Sequence, residues 1–189
     1  MILIIAILVG AVLLDQGSKW LAVLSLAEKG SITLVPPRIL ELVYTTNEGV
    51  AGGAFSGNWV ATLLFPILGL VAVAVYLFKF CPKLKRYRIP LAFVLAGGIG
   101  NLIDRIFRGE VVDFISVPWL PWVQFKPTFQ FVDFPIFNVA DICITLGAIA
   151  LIAVLVIDLI AESKKAKQKK TEAEKAPEEP KEESGHDAD

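Results

Sequence analysis

The residues in this sequence that could do acid–base chemistry stand at the edges of apolar runs. Asp113 falls in Gly109-Glu110-Val111-Val112-Asp113-Phe114, and Asp141 in Phe137-Asn138-Val139-Ala140-Asp141. Asn101, Asp104, Arg105 and Arg108 close the apolar run that starts near Ile89, and Asp15 and Lys19 interrupt the first one. Burying charge in hydrocarbon is costly, so ionisable groups placed this way are candidates for function. Two carboxyl groups in a partly dry site cannot easily both hold charge. One pKa rises, the other falls, and the pair shares a proton. One member can then act as base toward water while the other, protonated, polarises a peptide carbonyl. That chemistry needs no histidine, thiol nucleophile or metal. His186 is the only histidine and lies in a polar tail, which excludes Ser-His-Asp, HExxH zinc and histidine-relay chemistry. Cys81 and Cys143 make neither a CxxC site nor a disulfide framework and read as buried structural thiols. No metal ligand set and no cofactor site are expected.

The elements that position these residues follow from composition. The chain has 189 residues, 55% of them hydrophobic, and its mean hydropathy is +0.64. That excludes a soluble domain and predicts an all-α membrane protein with four transmembrane helices and a small β-rich extracytoplasmic loop region. Spans are expected at 1–27, 59–78, 89–107 and within 135–160. The first lacks the basic start and the cleavage site of a secretory leader, so it is read as a retained helix. Residues 28–58 are rich in Gly, Pro and Thr. Within them Ile32–Val35 and Ile39–Thr45 have strand composition, split by Pro36-Pro37, and predict a hairpin at the membrane surface. Residues 108–134 read as an aromatic interfacial loop. Lys79, Lys83, Lys85, Arg86 and Arg88 form one basic cluster, and Lys164, Lys165, Lys167, Lys169 and Lys170 another. By the positive-inside rule both are cytoplasmic, so both termini lie inside and two loops outside. The expected division is a membrane domain over 1–161 and a charged, disordered cytoplasmic tail over 162–189. No basic footprint for nucleic acid is present; membrane lipid is the expected neighbour.

This topology assigns depths. Rising from Ile89 at 1.5 Å per residue, Asn101 lies at roughly 18 Å and Arg105 at roughly 24 Å, with Asp113 at or past the edge of a ~30 Å core. Asp141 lies about one turn below the outer surface on the following helix. The two aspartates are therefore expected to meet at the outer face, from adjacent helices, although 28 positions apart. Asn101 and Arg105 share a face, Asp104 and Arg108 are spaced to neutralise each other, Asp15 pairs with Lys19, and Asn138 sits one turn before Asp141. Each has a plainer explanation by itself: a loop acid for Asp113, a helix-start acid for Asp141, local ion pairs for the rest. Asp133, in the aromatic loop, is assigned no chemistry. A proton-coupled carrier built on Asp15, Asp104 and Arg105 is the competing reading. It requires polar residues through the full depth, whereas the inner halves of the spans are apolar.

At these residues the sequence resembles bacterial lipoprotein signal peptidases (signal peptidase II), four-helix membrane aspartic peptidases. The resemblance covers residues 1–160. It is carried by Asp15-Gln16-Gly17-Ser18-Lys19, Asn47-x-Gly49, Gly100-Asn101-x-x-Asp104-Arg105, Gly109-x-Val111-Val112-Asp113-Phe114 and Phe137-Asn138-x-Ala140-Asp141. It implies cleavage of prolipoproteins just before a cysteine carrying diacylglyceryl, with Asp113 and Asp141 as the catalytic pair. Asn47, Asn101, Arg105 and Asn138 correspond to substrate-contacting or pair-orienting positions, with Asp15, Lys19 and Asp104 shaping the site. It further implies sensitivity to globomycin-type cyclic peptides; the chain is expected to be a monomer in the bacterial inner membrane. The chain departs from the family pattern at Ala51-Gly52-Gly53-Ala54-Phe55, where Ala-Phe is usual, and at Ile142, where Ser is frequent. The second outer loop and the tail are also long for the family.

Overall fold

The computed structural model describes residues 1–49, 57–80, 85–119, 121–125 and 129–175. Cys81, Lys83, the Gly52-Gly53-Ala54-Phe55 departure and residues 176–189, with His186, lie outside the described residues. In chain order the elements are α1 (Ile2–Leu26), β1 (Ser31–Val35), β2 (Leu40–Asn47), α2 (Trp59–Val75, continued by a π-helical segment Tyr76–Phe80), α3 (Lys85–Arg108), β3 (Val111–Ser116), β4 (Pro121–Phe125), β5 (Phe129–Asp133) and α4 (Val139–Lys175). All four helices are long and apolar enough to cross a membrane. Met1–Ile152 form one unit and Ala153–Asp189 a second. Within the second, α4 stays helical as far as Lys175, so residues 162–175 of the expected tail are helix.

The helices are built inside out. Along α1 the buried positions include Asp15, Lys19, Ala22 and Leu26, at steps of four, three and four, a single stripe. Leu13, Leu14, Leu21 and Leu24 stay exposed, as lipid-facing residues do. The charged pair therefore points into the protein. The receiving helix is α3, whose buried set includes Leu91, Leu95, Asn101, Asp104 and Arg105.

Three glycines let α3 serve as the hub. A Cβ on Gly97 would strike the Ala140 carbonyl and Ile144 of α4, one on Gly98 would strike Leu70 of α2, and one on Gly100 would strike the Asp15 carboxylate of α1. Close helix approach through small residues is the usual solution where lipid supplies no hydrophobic drive. Gly97→Ala is expected to destabilise the protein by about 1–3 kcal/mol, because the obstructing Ala140 atom is backbone and cannot rotate away. Gly10→Ala, with open space around it, should be neutral or mildly stabilising. Thermal unfolding in detergent checks the contrast.

The sheet runs β1-β2-β3, antiparallel throughout. Its first hairpin matches the strands expected around Pro36-Pro37. The third strand is a correction: the sequence predicts a loop over 108–134 with Asp113 brought in from a helix, and the structure places Asp113 on a strand. The helix stops at Arg108, Gly109 turns at φ 82°, and Val111–Ser116 pairs with β2, Asp113 opposite Thr45. Alternation along β3 then separates the side chains. Phe114 packs against Ala22 and Leu26 of α1, while Asp113 points to the other face. Beyond it β4 and β5 form a second hairpin, with Asp133 at the end of β5.

Candidate active site

The start of α4 fixes one half of the site. The first turn of a helix leaves N–H groups without intrahelical partners. Here Asn138 Oδ1 accepts from the Asp141 N–H at 3.0 Å, and Asp141 Oδ2 accepts from the Asn138 N–H at 3.1 Å. This reciprocal box holds the Asp141 side chain in place. Asp15 Oδ1 takes a further donor, the Ala140 N–H at 2.8 Å, placing a second carboxyl at the positive end of the helix.

Just before that helix, Phe137 forms an antiparallel bridge to Ile115 of β3. The Ile115 N–H donates to Phe137 O at 2.8 Å, the Phe137 N–H to Ile115 O at 3.0 Å, and the Phe114 N–H to Phe137 O at 3.1 Å. Backbone bonds thus tie the strand of Asp113 to the helix of Asp141. The Asn138 side chain completes the link: its Nδ2 donates to Asp113 Oδ1 at 2.7 Å, to Asn101 Oδ1 at 3.1 Å and to Val112 O at 3.2 Å. Asn138 is fully buried and acts on both aspartates at once.

A buried ionic cluster stands behind the pair. Lys19 Nζ lies 2.9 Å from Asp15 Oδ2, 2.9 Å from Asp104 Oδ2 and 2.9 Å from Asn101 Oδ1. Three acceptors satisfy the three donors of an ammonium. Gln16, to which the sequence reading gave no role, caps the cluster. Its Nε2 donates to Gly100 O at 3.0 Å, Asp15 Oδ2 at 3.1 Å and Asp104 Oδ1 at 3.3 Å. Only its place beside Asp15 hinted at this. Asp15 and Lys19 pair as expected, but Asp104 does not balance chiefly against Arg108. The Arg108 Nε stands 3.8 Å away on a partly exposed side chain, whereas Lys19 is closer and wholly buried. Sequence spacing finds partners on one helix; this one lies on another.

Asp113 is 4% exposed, and its carboxyl is raised from 3.8 to about 6. Burial is the main cause, then the negative charge of Asp141, against donors from Asn138 and Asn47 that favour the ionised form. The Asn47 Nδ2 is distant, 3.5 Å from Asp113 Oδ2, and its Oδ1 accepts the Gly49 N–H at 2.9 Å. Arg105 donates from Nη2 to Gly49 O at 2.9 Å and from Nη1 to Asn101 O at 3.4 Å, and its buried Nε has no partner among the described residues.

These groups open on a cavity of about 920 Å³. Asn47, Asn101, Arg105, Asp113 and Asp141 supply polar lining, while Phe65 and Leu70 of α2 and Ile144 of α4 are among its apolar walls. Asp15, Lys19, Asp104 and Asn138 do not line it; they support the groups that do. Among the described residues no group of three or more His, Cys, Asp or Glu is placed to hold a metal. Two carboxyls, one with a raised pKa, lining a largely apolar cavity have the chemistry to activate water.

Known proteins resemble this chain over most of its length. The model of the signal peptidase (SPase) II family matches residues 6–157. The lipoprotein signal peptidase of Chlorobium phaeobacteroides is 39% identical over 148 residues, covering 75% of this chain and 82% of its own. That of Clostridium acetobutylicum is 35% identical over 150 residues, covering 79% and 89%. Two solved structures, each described as a bacterial membrane enzyme determined by the in meso method, share the fold. One has a TM-score of 0.69 at 30% identity over 84% of this chain and 90% of its own. The other has 0.68 at 31% identity, over 82% and 93%. The four-helix multi-pass architecture, the small antiparallel sheet and the family match together place this chain in the signal peptidase II family of lipoprotein signal peptidases.

Proposed function

We propose that the chain is an intramembrane aspartic endopeptidase that removes the signal peptide of diacylglyceryl-modified prolipoproteins, cutting just before the lipidated cysteine. The observation that carries this is the tie between Asp113 and Asp141 through the one residue Asn138, whose side chain donates to Asp113 Oδ1 and whose backbone N–H donates to Asp141 Oδ2, with both aspartates lining a largely apolar cavity. In this mechanism Asp113 holds the proton and Asp141 is the base. Asp141 takes a proton from water, the hydroxyl adds to the scissile carbonyl, and Asp113 gives its proton to the carbonyl oxygen. Asp141 then passes its proton to the departing amine as the C–N bond breaks, and Asp113 recovers a proton from the diol. Asn47 and Arg105 hold the substrate backbone or lipid oxygens, the arginine as a fixed donor fork.

The signal peptide, itself an apolar helix, lies along the walls made by α2, α3 and α4. The active site faces outward and both termini inward, because Lys79 at the end of the helix continuing α2 and Lys85, Arg86 and Arg88 in the first turn of α3 form one basic cluster, and Lys164, Lys165 and Lys167 follow the last apolar turn of α4. The working unit is a monomer in the bacterial inner membrane, and a globomycin-type cyclic peptide blocks it.

The test is direct. Purified protein is incubated with a diacylglyceryl-modified prolipoprotein, and product masses are read by mass spectrometry. The expected product begins at the lipidated cysteine; cleavage at another bond, or only of unmodified precursor, overturns the proposal. The pH profile adds a second check. Asp113 must keep its proton, so kcat/KM should fall on the alkaline side with a limb centred near 6. Asn47→Ala removes a donor to the ionised form, so the limb should move to higher pH.

A further inference from the structure

We propose that Lys19 is a positioning residue for the reaction: through the Asn101 amide it makes Asp141 the hydrogen-bond acceptor, and hence the base, of the aspartate pair. This rests on the two-aspartate reading above. An ammonium can only donate. Lys19 Nζ donates to Asn101 Oδ1 at 2.9 Å, and the same oxygen takes the Asn138 Nδ2 donor at 3.1 Å. With its oxygen so held, Asn101 presents its NH₂ to Asp141, donating to Oδ1 at 2.9 Å. Turning the amide over would set an NH₂ group against an ammonium and another amide donor.

The wiring makes the two aspartates unequal. Both oxygens of Asp141 receive N–H donors, from Asn101 and from the Asn138 backbone. In Asp113 one oxygen is engaged at 2.7 Å, and among the described residues the other meets only the Asn47 donor at 3.5 Å, which leaves it to carry a proton. Lys19 reaches this pair without touching substrate. It is completely buried, absent from the cavity lining, and locked by Asp15 and Asp104. Among the described residues the other charges that face Asp141 are Asp113 from β3 and Arg105 from α3, and neither acts through the Asn101 oxygen.

The experiment compares kcat/KM against pH for wild type, Asn101→Ala, and two charge-balanced pairs, Lys19→Met/Asp104→Asn and Lys19→Gln/Asp104→Asn. In Asn101→Ala and in the Met pair the acid limb, which reports the base, should move up by about one pH unit, a tenfold loss at acid pH. The Gln pair keeps a donor to Asn101 and should hold the limb near its wild-type place. Adding Asn101→Ala to the Met pair should move it no further. A merely structural Lys19 lowers kcat/KM evenly and leaves the limb where it was, and that result overturns the proposal. If the Met pair is not recovered folded, Asn101→Ala decides, since it leaves Lys19 with both carboxylates; an unmoved acid limb there is equally fatal. Failure of the aspartate reading itself shows separately, as continued cleavage by Asp113→Asn or Asp141→Asn.

Discussion

Asp113→Asn should lose about 10³–10⁴-fold in prolipoprotein cleavage and yet unfold at a higher temperature than wild type above pH 7. In the proposed mechanism the first effect follows from removing the proton donor of the pair. The second follows from linkage. A carboxyl raised from 3.8 to about 6 binds its proton more tightly folded than unfolded. Its contribution to stability is complete below pH 3.8 and is lost as the pH rises through 6. Above that the buried charge costs about 3 kcal/mol, at 1.36 kcal/mol for each pH unit between the two values. Asparagine carries no such charge and can still accept from Asn138 Nδ2, so the cost disappears. Asp141→Asn should also abolish cleavage, but it gives up part of the helix cap and gains less. Cleavage by lipidated-substrate assay and unfolding at pH 5 and pH 8 distinguish the cases. A catalytically dead but stabilised Asp113→Asn marks a group kept for chemistry; near-wild-type cleavage by either variant removes the dyad assignment. Asp133→Asn is the control and should cleave normally.

Lys19→Met should be among the most destabilising single substitutions in the chain, at about 3–5 kcal/mol. Lys19 is the shared partner of two carboxylates that are themselves 1% and 0% exposed, Asp15 and Asp104. Methionine fills the space but leaves both acids facing each other and an uncompensated charge in a dry interior. Deleting one acid as well should recover a large part of the loss, because the leftover charge is the main cost. In Lys19→Met/Asp104→Asn, Asp15 keeps the Gln16 amide and the Ala140 N–H, and the amide at 104 can still accept the Val112 N–H. Thermal unfolding of the two singles and the double, taken as a cycle, measures the coupling. A Lys19→Met protein as stable as wild type would mean that the cluster is neutral, with the acids protonated.

How much of this was legible beforehand depends on the distance over which each cause acts. The spans were plain, because twenty apolar residues have one use in such a chain. The convergence of Asp113, Asp141 and Asn101 followed from depth alone. The Asn138–Asp141 contact followed from helical spacing. What spacing cannot reveal is rotation of one helix about its axis relative to another. Hence Asp104 was matched with Arg108 on its own helix rather than with Lys19 on α1, and Gln16 passed without a role. Strand β3 was missed for a different reason. Val111–Ser116 has the composition of a strand, but six residues after a long helix earn a strand only by pairing, and the partner, β2, lies more than sixty positions upstream.

The bridge between Ile115 and Phe137 has one more consequence, for how members of such a family can diverge. It pins both ends of the excursion formed by residues 117–136, so that excursion is a closed loop whose length has little leverage on the aspartates. Closing a longer loop costs only slightly more, about 0.6 kcal/mol for each doubling. Its last residues, Phe134, Pro135 and Ile136, also line the cavity. Insertions, deletions and wholesale rewriting there can alter which polypeptides are admitted, while the chemistry behind the bridge stays in register.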